Sequence, residues 1–113
     1  MTATKSPVVY YSVPKLILSP GPGVYPDPFD DQALIIVRLS ADAQLHFAVY
    51  NVAGEKVRVL QFPGKRGPNS IPWKGDNNYG ARCASGYYII RILADSNTGN
   101  QHDSRWVHAV ITR

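Results

Sequence analysis

With 113 residues, 44% of them hydrophobic and only 18% charged, the chain is too apolar and too weakly charged to stay disordered, and one core is within its reach without covalent staples. Its formal charge of +4 would suit an anionic partner, yet the twelve basic residues are scattered and only Lys65 and Arg66 in GKRG stand together, which argues against a nucleic-acid footprint. Cys83 is the single cysteine, which excludes an intrachain disulfide and a metal site built on paired thiolates, and no run of about 18 apolar residues offers a membrane-crossing helix.

Nine prolines and nine glycines spread along the chain predict short elements separated by turns. Residues 1–12 read as an extended lead-in, because Pro7 and Pro14 oppose a helix. The same stretch lacks the long apolar core of a signal peptide, so an exported natural protein would make this chain a mature piece or an excised domain. The domain proper is predicted over 13–113, with a first strand at about 13–19. PGPG at 20–23 ends that strand, and YPDPFDD, residues 25–31, is predicted as a stiff, polyproline-like connection.

From Ala33 the pattern alternates, with Ala33, Ile35, Val37 and Leu39 on one face, which predicts a strand over 33–40. SADAQ turns the chain into LHFAVYNV, residues 45–52, where Leu45, Phe47 and Val49 share a face. NVAGEK then turns at Gly54, a residue suited to positive φ. KVRVLQF is a fourth strand at 56–62, PGKRGPN a longer loop, and SIPWKG a fifth strand at 70–75, which Pro72 marks as an edge or a bulge. After the polar loop DNNYGARCASG, a sixth strand covers YYIIRILADS, residues 87–96. SRWVHAVITR, residues 104–113, closes the chain. Seven strands at roughly ten-residue spacing, without a helical period, predict an antiparallel seven-stranded sandwich of immunoglobulin or fibronectin type III character.

The order of these motifs resembles a known family. YPDPFDDQALIIVRLS, LHFAVYNVAGEKVRVL and IPWKGDNNYGARCASGYYIIRI together look like the immunoglobulin-like domain of the flagellar hook-capping protein. They are closely similar to the C-terminal sorting domains of proteins exported by the type IX secretion system. Pro28 and Phe29 match the family's Pro-Phe segment, and Val49, Tyr50, Asn51, Gly54 and Val57 match its hairpin. Trp73, Gly75, Asp76 and Gly80 match its tryptophan turn, while Ser85, Gly86, Tyr88 and Arg91 match the strand that follows. The similarity covers about residues 16–113. Asp27 stands where the family usually has asparagine, and Lys74 where it usually has aspartate.

The carboxylates invite a second reading. Asp27, Asp30, Asp31 and Asp76 would suit a hard cation such as calcium, but no ladder of alternating ligands with a closing Glu follows, and Lys74 would repel the metal. Turn capping explains them better. His46, His102 and His108 have the chemistry of ligands or acid-base groups, yet His46 and His108 fall at alternating strand positions where a sheet face accounts for them. No activated nucleophile and no carboxylate pair at catalytic spacing is visible, so neither an enzyme nor a cofactor is expected. Trp73 reads as the core tryptophan; Trp106, Tyr50 and Tyr87 remain candidates for a contact surface, as do Lys65 and Arg66 at a loop tip.

The resemblance implies a noncatalytic sorting or assembly module of an exported bacterial protein, outside the cytoplasm. Its expected partners are proteins: secretion machinery, other domains of its parent, or neighbouring subunits. Nucleic acid and membrane insertion are not expected. Open strand edges offer docking or self-association, with Pro72 blunting one edge and the last strand leaving another available. The upstream assembly segment of hook-capping proteins is absent here, which favours sorting over a hook-cap scaffold. A carbohydrate-binding accessory module of a secreted hydrolase is the third expectation.

Overall fold

The computed structural model describes residues 18, 19, 21–96 and 102–113. The lead-in and most of the strand expected at 13–19 lie outside the described residues; Leu18 and Ser19, at its end, are within them. The described residues hold seven strands and no helix: β1 (Gly23–Tyr25), β2 (Ala33–Leu39), β3 (Ala43–Tyr50), β4 (Lys56–Gly64), β5 (Gly67–Trp73), β6 (Gly86–Ser96) and β7 (His102–Ile111). They form two antiparallel sheets, ordered β1-β2-β5 and β4-β3-β6-β7. The architecture is the all-β immunoglobulin-like sandwich that the alternation predicts.

The alternation decides which side chains face inward. Ala33, Ile35, Val37 and Leu39 of β2 are buried, as are Leu45, Phe47 and Val49 of β3, and they meet Ile71 and Trp73 of β5 and Tyr88, Ile90, Ile92 and Ala94 of β6 in one cluster. Each large member of that cluster contributes about 1.5–3 kcal/mol through removal from water. The opposite residues of the same strands are exposed or half-buried.

Two expectations are corrected. The YPDPFDD segment is no polyproline-like connection, because its first residue ends β1, which pairs with β2 through Gly23↔Ile36, Val24↔Ile35 and Tyr25↔Leu34. Val24 is buried there, and the Tyr25–Pro26 and Asp27–Pro28 bonds are both cis. The second correction concerns PGKRGPN, which shrinks to Lys65 and Arg66. β4 runs on through Pro63 to Gly64, and β5 already begins at Gly67. Prolines 63, 68 and 72 all sit on edge strands, where a missing N–H breaks no ladder bond if it faces outward.

Across Lys65 and Arg66 the chain leaves one sheet for the other. Asn69, the one buried polar side chain among the described residues, holds this corner. Its amide nitrogen donates to the carbonyls of Lys65 (2.8 Å) and Gly67 (3.0 Å), and its oxygen accepts from the Lys65 N–H (3.0 Å). The Arg66 N–H donates to Asp42 Oδ1 at 2.8 Å.

Candidate interaction site

One end of the sandwich is built from the family-like motifs. The Trp73 indole N–H donates to the Asp76 carbonyl (3.0 Å), and its ring meets Phe29 and Tyr88 edge-on at 5.6 and 5.9 Å. The Tyr88 hydroxyl donates to the Ala84 carbonyl at 2.7 Å. Gly75, at φ 68°, packs so tightly that an added Cβ would lie 2.6 Å from Arg113 Nη2 and 3.2 Å from both Ile111 and Phe29. Arg113 closes this end by donating to three carbonyls, those of Cys83 (2.9 Å), Asp30 (2.6 Å) and Gly75 (2.9 Å).

Phe29 and Asp27 act on β7. The Phe29 N–H donates to the Val110 carbonyl and its own carbonyl accepts from Thr112, both at 2.9 Å. Asp27 Oδ1 accepts the Val110 N–H at 2.9 Å, while Oδ2 lies 3.4 Å from His108 Nδ1. A carboxylate and a short stretch of backbone thus occupy the outer edge of β7 at its C-terminal end, which corrects the expectation that this edge is wholly available. At the other end, Asp103 accepts the Leu18 N–H (3.0 Å) and Arg105 donates to the Leu18 carbonyl (3.2 Å). Leu18 in turn bridges Leu39.

Between these two closures lies a groove of about 360 Å³, lined by Pro22, Gly23, Val24 and Tyr25 on one wall and Trp106, Val107 and His108 on the other, with Asp27 at one end. It separates β1 from β7, the edge strands of different sheets. Tyr25 is 57% exposed and Trp106 59%, so the rim is aromatic. Trp106 also approaches Tyr50 at 6.0 Å, and His108 stacks on Tyr87 at 5.5 Å. The three aromatic contact candidates therefore share the outer face of the four-stranded sheet, together with Lys56, whose Nζ stands 6.0 Å over the Tyr50 ring.

Other candidates do not join this site. Lys65 and Arg66 follow β4, at the opposite edge of that sheet from the Trp106 strand, so the structure does not bring these three together. Asp30 and Asp31 face Arg82 at 3.8 and 3.4 Å, and Asp76 faces Arg58 at 3.8 Å. The DNNYG stretch that follows Gly75 is a turn in which Asn77 Oδ1 accepts the N–H groups of Tyr79 and Ala81. Asn51 does the same for Ala53 and Glu55 ahead of Gly54, which takes φ 81°. Gly80 also turns with positive φ, at 84°, whereas Gly86 opens β6. His46 and His102 both contact the Asp95 carboxylate. No set of three metal-ligating side chains suited to an ion occurs among the described residues. Cys83 is buried, and burial, followed by the nearby Asp76 charge, pushes its thiol pKa up, so it stays protonated near neutral pH.

Fold and site together define a class: an immunoglobulin-like sandwich whose distinctive surface is an edge-lined groove. No family model and no curated protein matches the chain. Among solved structures, it is similar to a part of dimeric latent PorU from Porphyromonas gingivalis, with a TM-score of 0.64 at 20% identity over 80% of this chain; that part is 9% of PorU. It is likewise similar to FlgD from Xanthomonas campestris, whose hook capping is essential for flagellar assembly, with a TM-score of 0.61 at 22% identity over 83% of this chain and 69% of FlgD. The chain has the fold that the motif resemblance implied.

Proposed function

We propose that this chain is a noncatalytic assembly and export module of a bacterial protein that works outside the cytoplasm, docking on protein partners through the groove between β1 and β7. The carrying observation is the groove itself, which sets an aromatic rim beside a strand edge. The fold shared with FlgD and the ordered motifs resembling hook-capping and type IX sorting domains support the reading. Sorting by the type IX machinery is the favoured role, and a scaffold role in an extracellular appendage the second. Fusing residues 16–113 to a reporter in a type IX host tests it: surface delivery is expected, and retention in the periplasm with a working export system would overturn the sorting role.

The Tyr50–Trp106 pair on an open face favours one other reading, a carbohydrate-binding accessory module. Polysaccharide binding that disappears in Trp106→Ala would support it. Absence of binding at millimolar sugar would remove it.

A further inference from the structure

We propose that the middle of the β7 edge receives a short extended strand from a partner protein, one that alternates acidic and aliphatic residues and adds itself to the four-stranded sheet. The inference rests on reading the domain as a docking module, and it specifies the chemistry of what docks.

The ladder fixes which backbone groups are open. The β6–β7 register runs without a shift from Gly86↔Ile111 to Asp95↔His102. In an antiparallel strand the N–H and C=O of one residue point the same way, and the direction reverses at the next residue. The Val110 and Thr112 N–H groups point away from β6, toward Asp27 and Phe29. By the same parity the backbone groups of Trp106 and His108, and the N–H of Ser104, point outward. Arg105 Nη1 donates to the Ser104 carbonyl, whereas no bond from the described residues reaches the outward groups of Trp106 and His108. Another backbone in extended form matches the spacing of such a row of alternating donors and acceptors. The Asp27 closure on one side and the Leu18 clamp on the other limit the opening to about five residues, or roughly 17 Å of strand.

The side chains around the opening set the partner's sequence. A residue opposite Val107 would turn toward Val24, Pro22 and Val107, an apolar wall that suits valine or isoleucine. Residues opposite Trp106 and His108 would lie on the outer face. Arg91 is the direct cross-strand neighbour of Trp106 there, and neither Arg91 nor Lys56 pairs with a carboxylate among the described residues. Arg91 thus stands beside Trp106 as a cation that a glutamate or aspartate opposite Trp106 would meet.

The probe is the capped peptide Gly-Glu-Val-Glu-Val-Glu-Gly, titrated into the full 113-residue chain and followed by amide hydrogen exchange. Slower exchange at Trp106 and His108, by about tenfold or more at saturation, is expected. An N-methyl group on the central glutamate should abolish binding, because in an antiparallel guest the residue opposite Trp106 points its N–H at β7, whereas an N-methyl group on a valine should be tolerated. Replacing the glutamates with lysines should weaken binding by about tenfold or more. The proposal is overturned if the peptide fails to bind up to about 1 mM, or if N-methylation of the central glutamate has no effect. It is also overturned if the lysine peptide binds equally well. Protection of Trp106 that rises with protein concentration alone would assign the edge to a second copy of the chain instead. A delivered reporter fusion without peptide binding removes this edge site and leaves the export role standing. The converse removes the export role alone.

Discussion

Replacing Phe29 with alanine is expected to cost about 3–5 kcal/mol. The ring is 2% exposed, meets Trp73 edge-on at 5.6 Å and lies against Gly75. Its loss opens a cavity at the end of the core that cannot collapse, because the backbone of residue 29 is tied on both sides to Val110 and Thr112. A chain of 113 residues has a total stability of roughly 6–17 kcal/mol, so the variant loses a large share of it. Urea unfolding followed by circular dichroism should give a lower midpoint at an unchanged slope, and the melting temperature should fall by roughly 10–20 °C. Phe29→Leu, which keeps more of the volume, should lose less. A loss below about 1 kcal/mol at constant slope would refute the reasoning, since no buried phenylalanine in a fixed frame is so easily dispensed with.

Asn69→Ala should cost about 1–3 kcal/mol, because the carbonyls of Lys65 and Gly67 and the Lys65 N–H lose their partner at the sheet-to-sheet corner; urea midpoints check it. Arg113→Ala should cost about 1–2 kcal/mol, and Arg113→Lys should not restore it, since one ammonium cannot reach the carbonyls of Cys83, Asp30 and Gly75 at once. The Cys83 thiol is raised from its usual 9.0 mainly by burial, and the Tyr88 phenol from 10.0 by burial and then by Cys83. The unfolded chain therefore releases these protons first, so stability present below about pH 9 should fall as pH rises above it. Urea midpoints between about pH 7 and 10.5 measure the fall, and Cys83→Ala should flatten its first part. A thiol reagent should modify Cys83 only as the chain unfolds.

The sheet faces were legible because burial follows a two-residue period in β2, β3 and β6, and each inward residue is aliphatic or aromatic. Local turn chemistry was legible too, as at Asn51 and Gly54, where donor and acceptor are four residues apart or closer. What the sequence left hidden depends on partners remote in the chain. Asp27 caps an amide 83 residues away, and the Leu18 N–H finds Asp103 at a separation of 85. Nothing near Asp27 announces that role; the prolines beside it suggested stiffness only. Asn69 escaped notice for a related reason, since an asparagine between Pro68 and Ser70 looks like loop punctuation unless its burial is known. Trp106, Tyr50 and Tyr87 were singled out by residue type, and the register then placed them on one face.

The two closures of the β7 edge bear on how the protein behaves when crowded. A fully open edge lets one molecule template the next, and the stack grows without a limit. Here Asp27 places a charged oxygen where a longer neighbouring strand would need a carbonyl, and Leu18 is clamped across the other end. An edge confined in this way leaves room for a short guest and gives a long neighbouring strand no continuous ladder along β7.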